Sequence, residues 1–133
     1  MKKLKTIISL TAMCMAILVF ATGFTYGIGR VNGYCESGDL NPFKNDRVRT
    51  DTYGSTSQKL VARATLQYYD GSKYVNQGTV ESVKDYGGTA VSADTGWYNS
   101  TQGDGLSIRN VYSGTIYNTG GVVDFTDSGI VNE

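Results

Sequence analysis

Four aspartates, Asp94, Asp104, Asp124 and Asp127, are the acidic residues best placed for chemistry, because each falls at a strand end or in a loop. Two carboxylates flanking a glycosidic bond can act as acid and base, and carboxylates with backbone oxygens can hold Ca²⁺. The spacing here matches no calcium-binding loop, and turn aspartates commonly do no more than bond their own backbone. Other reactive groups are sparse. The chain has no histidine, which removes the usual general base, Ser-His triads and His-based zinc sites. Its two cysteines, Cys14 and Cys35, are too few for a multi-thiolate metal site and form no CxxC pair. Gly27-Ile-Gly29-Arg30 neither follows a strand nor opens a helix, so it is not a phosphate cradle. These residues point away from an enzyme and imply no catalytic residue, no metal and no cofactor.

Aromatic residues are the better lead. Trp97 and Tyr98 are adjacent in a Gly-rich stretch. Neighbours on a strand point to opposite faces, so at most one enters the core. The other can stack on a sugar ring or fill a partner's pocket, or else Trp97 plugs one end of the core. Tyr69, Tyr74 and Tyr117 extend this candidate ligand-binding set. Arg47 and Arg49 would share one strand face, either meeting an anionic partner or lying solvated. The partners implied are a cell-envelope, glycan or protein surface.

The elements that must hold these residues read as all-β. The chain contains 17 glycines, 10 tyrosines and one proline, Pro42, a composition of strands and tight turns. From Lys59 to Tyr69, Leu60, Ala62, Ala64, Leu66 and Tyr68 alternate with Lys59, Val61, Arg63, Thr65, Gln67 and Tyr69. Period-two alternation of this length predicts a half-buried strand. Asp70-Gly71 then predicts a two-residue hairpin turn, followed by a strand over Ser72–Asn76 that continues through Thr79–Lys84. Asn76-Gln77-Gly78 reads as a bend or bulge. Further strands are expected at Thr89–Asp94, Leu106–Tyr112, Thr115–Asn118 and Val122–Thr126. The expectation is a small antiparallel β-sandwich, or a barrel-like sheet, of five to seven short strands over residues 57–133. Residues 28–56 are crowded with turn signals and read as a flexible N-terminal arm, with a short edge strand at Val48–Thr52. Tyr69-Asp-Gly-Ser-Lys-Tyr-Val-Asn-Gln-Gly78 and Tyr112-Ser-Gly-Thr-Ile-Tyr-Asn-Thr-Gly120 echo one another as matching hairpins, although chance or turn chemistry alone produces such echoes.

Ahead of the arm stands a leader. Lys2, Lys3 and Lys5 precede a 19-residue, uncharged run from Thr6 to Phe24. Residues 1–27 thus read as a secretory signal peptide, helical in its apolar part, rather than a retained anchor. Cleavage fits after Gly23 or after Gly27. Cys14 sits inside the apolar run without a small residue before it, which does not suit lipidation. Cleavage after Gly27 leaves 106 of the 133 residues, enough for one domain. It also removes three of 12 basic residues, leaving 9 against 12 acidic, a net charge of −3. A mildly acidic chain without a basic run argues against nucleic acid and strong binding to anionic lipid. Cys35 becomes the sole cysteine, either an incidental thiol or the site of an intermolecular disulfide linking a dimer.

A signal peptide followed by a short Gly/Tyr/Ser/Thr-rich β domain, with Tyr68-Tyr-Asp-Gly-Ser-Lys-Tyr74 at a hairpin, resembles small secreted β-sandwich bacteriocins of the lactococcin type. The resemblance covers roughly the last 75 residues and rests on composition and layout. It implies action on a competitor's envelope. This chain departs from the pattern by its N-terminal arm and its lack of histidine, so no functional residue is carried over. The sequence therefore points to an exported, non-catalytic binder of the envelope, a glycan or a protein, or to a secreted bacteriocin-like protein. Expressed with its leader in a secreting bacterial host, the protein should appear in the medium with Phe24 or Ile28 as its first residue by mass spectrometry. A full-length form confined to membranes would contradict export.

Overall fold

Leu60, Ala62, Ala64 and Leu66 all turn into the interior with at most 1% of their surface exposed, as the alternation of their strand requires. A computed structural model describes residues 29–37, 46–97 and 106–133. Seven strands run β1 Arg30–Ser37, β2 Asp46–Tyr53, β3 Lys59–Tyr69, β4 Tyr74–Lys84, β5 Ala90–Asp94, β6 Ile108–Tyr117 and β7 Val123–Asn132. They form two antiparallel sheets, ordered β1-β2-β5 and β4-β3-β6-β7. The sheets face each other, with β2 against β3 and β6, β1 against β6 and β7, and β5 against β3 and β4. The arrangement is all-β and sandwich-like. The constant-type immunoglobulin order differs by one strand, placing its fourth strand with the first, second and fifth. That likeness of strand order carries no function.

The β3–β4 hairpin forms where the sequence places it, with a longer turn. Tyr69 pairs with Tyr74, and the loop between them has four residues rather than two. Asp70 holds it by accepting the N–H groups of Ser72 at 2.8 Å and Lys73 at 2.9 Å, an Asx-type turn. Gly71 takes a φ of +96°. Leu66 pairs with Gly78 but Gln67 with Asn76, so Gln77 is the extra residue of a bulge.

Two expectations give way. Residues 30–37 and 46–53 are not an arm but strands, and β2 is the middle strand of its sheet. The inward face of β2 is Val48, Thr50 and Thr52, all fully buried. Threonine hides a buried face from a hydrophobicity pattern, because its hydroxyl finds partners inside. Thr52 donates to the Val61 carbonyl at 2.9 Å, and Thr50 accepts from Asn110 at 3.4 Å. Likewise Thr115–Asn118 is not a separate strand: β6 runs unbroken through Gly114. A Cβ on Gly114 would stand 2.4 Å from Thr52 Oγ1, and one on Gly33 would stand 2.4 Å from the Tyr112 ring. Both glycines mark close approach between the sheets rather than turns. The Tyr112–Gly120 half of the echo is therefore mostly the body of β6 and reaches the β6–β7 turn only at its end.

The core gathers Val48 and Ala93 from one sheet with Ala62, Ala64, Leu66 and Ile108 from the other. At its centre lies a polar residue. Asn110 is fully buried. Its amide donates to the carbonyls of Tyr34 at 3.1 Å and Arg49 at 2.9 Å, and its oxygen accepts the Thr65 N–H at 3.2 Å. One side chain on β6 thereby joins β1, β2 and β3. Replacing it with leucine leaves buried backbone groups without partners, each costing about 1–3 kcal/mol. Asn110→Leu should destabilise the fold by about 2–4 kcal/mol in urea titrations with an unchanged m-value. A loss below about 1 kcal/mol would show that water or local shifts replace these bonds.

Candidate functional site

The outward residues of the four-stranded sheet follow from the same alternation that buries their neighbours. Lys59, Val61 and Arg63 on β3 lie between Glu81 and Val83 on β4 and Ser113, Thr115 and Tyr117 on β6. The middle of this group is low, because Val61, Ser113 and Thr115 are short. Together with Tyr86 and Gly121 the residues line an open trough of about 570 Å³. It follows β3 from Lys59 to Arg63, about 13 Å at the usual strand rise.

One end of the trough is closed by loops that hold each other. Tyr86, in the β4–β5 connection, donates its hydroxyl to the Asn118 carbonyl in the β6–β7 turn at 3.3 Å, so its ring spans the start of β3. Asn118 shapes its own turn by accepting the N–H groups of Gly120 and Val122. Gly87 donates to the Thr56 carbonyl at 2.7 Å and Gly54 to that of Thr89 at 3.0 Å. Gln58 reaches Asp124 at 3.0 Å while accepting the Ser55 N–H at 2.8 Å. Three connections thus form one braced rim, carrying the exposed side chains of Val83, Tyr86, Val122 and Val123.

The aromatic residues singled out from the sequence fall in three places. Tyr117 lines the trough. Tyr69 and Tyr74 form a tilted pair with centroids 5.3 Å apart, at the far end of β3. Lys59 pairs with Tyr117 and Tyr69 with Tyr74, so about 33 Å of strand separates the two sets. Trp97 follows β5 on the other sheet, 39% exposed, with the Arg47 guanidinium 5.9 Å from its ring. It does not plug the core. Tyr98 lies outside the described residues, as do Asp104 and the leader with Cys14. Sequence reasoning missed Tyr86, Lys59, Val61 and Arg63 as site residues. The outward half of the β3 alternation was the available signal for the last three.

The described candidate aspartates each have a partner of their own. Asp94 binds Arg47, Asp124 accepts from Gln58, and Asp127 accepts the Ser128 N–H at 2.9 Å. Among the described residues no group of three or more acidic, cysteine or histidine side chains could hold a metal ion, and no helix is long and apolar enough to cross a membrane. Cys35 is half-buried and packs against the core. Burial, then the charges of Glu133 and Asp46, push its thiol up to about 11, so little thiolate exists near neutrality. A disulfide to a second chain would need this sulfur to leave its core contact. No family model, curated protein or solved structure matches the chain.

On the outer face of the three-stranded sheet Arg47 and Arg49 lie against acidic side chains, although the buried Nε of Arg49 makes no hydrogen bond. Arg47 binds both oxygens of Asp94, with Nε to Oδ1 at 2.9 Å, and lies 3.8 Å from Glu36. Arg49 lies 3.3 Å from Asp51 and stacks 4.5 Å from the Tyr34 ring centre. The bond from Arg47, helped by the Gly96 N–H, holds the Asp94 carboxyl below its ordinary value of 3.8. A depressed pKa adds stability above the unfolded value that disappears as pH falls through the folded one. The stability of the protein should therefore drop below about pH 4, and Asp94→Asn should flatten that acid limb. Trp97 emission should change over the same range in the parent and not in the variant. An identical acid limb in both would mean the pair contributes nothing.

Proposed function

We propose that this chain is an exported, non-catalytic binding module whose partner is a glycan of the cell envelope, held in the trough on the outer face of the four-stranded sheet. The observation that carries the reading is the trough itself. Its floor offers the hydroxyls of Ser113 and Thr115, and its Lys59 end offers the Tyr117 and Tyr86 rings, held by a braced rim. Rings with polar neighbours suit sugars, which present apolar faces and hydroxyl edges. A preformed site loses little conformational freedom on binding. Export is inferred from the basic and apolar leader, and both cleavage positions precede β1 and leave its pairing with β2 intact.

An open, shallow site also suits binding better than catalysis, since it does not exclude water from a reacting bond. Tyr117 and Tyr86 stand at the edge of the fold, so truncating either removes contact surface without opening the core. Tyr117→Ala should weaken binding to purified envelope polysaccharide about tenfold, about 1.4 kcal/mol, with the urea midpoint little changed. Equal binding by parent and variant would remove the trough as the site. Killing of test bacteria by the purified protein would favour the bacteriocin-like alternative instead.

A further inference from the structure

The two outer faces of the molecule treat their charges differently. On the three-stranded sheet Arg47 and Arg49 are matched by Asp94, Glu36 and Asp51. On the four-stranded sheet the outward residues of β3 and β6 include Lys59, Arg63 and Arg109, and the opposing acid on β4 is Glu81. Glu81 stands directly across from Arg63 in register. Even so, among the described residues no carboxylate lies within ion-pair distance of Arg63 or Arg109. Lys59 reaches only the exposed Asp85, at 3.5 Å.

These cations form a line. Arg109 lies beside Gln67, to which it donates at 2.7 Å, and its guanidinium stacks 3.7 Å from the Tyr74 ring centre. Lys59, Arg63 and the Gln67–Arg109 pair therefore follow one another along the sheet at intervals of about 13 Å. A tyrosine stands at each end: Tyr117 beside Lys59 and Tyr74 under Arg109.

Resting on the trough as the binding site, we propose that its ligand is a carboxylate-bearing polysaccharide, lying extended along β3 with its acidic groups at Arg63 and Arg109. The unmatched guanidinium groups supply the charge complementarity, and their planar forks fit carboxylates with two bonds each. The spacing selects the polymer class. Nucleic acid carries a phosphate about every 3.4 Å of each strand, far denser than these cations can match. A glycan with one acid per disaccharide is sparse enough, and its neutral rings find the hydroxyls and tyrosines between the charges.

The test uses hyaluronan, which has one carboxylate per disaccharide, its carboxyl-esterified derivative, and a single-stranded oligonucleotide, in titration calorimetry at low salt and at about 0.15 M. Hyaluronan should bind at least fivefold tighter than the ester, with the advantage shrinking at higher salt. Arg63→Gln should reduce hyaluronan binding about fivefold and leave the ester unchanged. Glu81→Gln should strengthen hyaluronan binding. Both variants change exposed side chains, so folding is not at issue, and circular dichroism checks it. Equal binding of hyaluronan and ester, with both lowered by Tyr117→Ala, would overturn the acidic ligand while sparing the trough. Binding indifferent to Tyr117→Ala, or absent for every probe, would overturn both. Tighter binding of the oligonucleotide would replace the glycan with nucleic acid.

Discussion

The fold depends on a polar side chain where an apolar one would be expected. Asn110 sits fully buried and bonds to backbone groups of Tyr34, Arg49 and Thr65. Hydrophobic burial brings two sheets together but does not say how far one slides along the other. Directional bonds in a low-dielectric interior do, because a slip of one residue would strand every partner. Thr52, donating to the Val61 carbonyl at 2.9 Å, adds a second fixed point between the same sheets. With these in place the apolar residues need only fill space. They do so with small groups: Ala62, Ala64 and Ala93 beside Val48, Leu66 and Ile108.

A core so closely set has consequences for where function can lie. Gly33 and Gly114 show that the sheets approach to the limit their backbones allow. Between such sheets a drug-sized ligand has no room, and the outer faces and the loop ends are left to carry recognition. Of the two faces, the three-stranded one spends its arginines on its own carboxylates and aromatic rings. Its charges hold β1, β2 and β5 in place, and a ligand would have to displace Asp94 from Arg47 to use them. The four-stranded face has a low centre, and among the described residues its arginines make no ion pair: Arg63 stands across from Glu81 without reaching it, and Arg109 bonds Gln67 and stacks on Tyr74. Register contributes to the contrast. Arg47 faces Glu36 across β1 and bonds Asp94 on β5, whereas Arg109 faces Asn132 and Gln67.

How much of this was legible follows from which signal each element carried. The β3–β4 hairpin was readable because its inward residues are aliphatic and its loop carries Asp70-Gly71. Even the bulge showed, through Gln77 and Gly78. Strand β1 was not readable, and β2 only as a short edge strand at Val48–Thr52, since their buried faces are Val31, Gly33 and Cys35, and Val48, Thr50 and Thr52. Period two is present in both, but it is written in threonine and glycine, which pattern reading assigns to turns. The site was harder still. Tyr117 stands out for its ring, yet its companions come from two connections and from strands β3 and β4 as well as its own. Tyr86 gains its position only because Asn118 is brought to it.

Net charge says little about which face a ligand meets. Without its leader the chain is acidic by three charges, which argues against nucleic acid and strong binding to anionic lipid. A total charge averages over every direction, while a ligand meets one face. Alternation along a strand sends successive residues to opposite sides, so a sheet can sort its charges even when the chain as a whole does not. Among the described residues, Asp70 and Asp85 lie in connections, Asp124 and Asp127 on the edge strand β7, and Glu36, Asp51 and Asp94 beside arginines on the opposite face, while Glu81 stands on β4 across from Arg63. What remains along β3 and β6 is basic. At physiological salt the distant acids are screened over about 8 Å, so a polymer lying along β3 would feel Lys59, Arg63 and Arg109, offset by the nearby Glu81 and Asp85, rather than the molecule's overall sign.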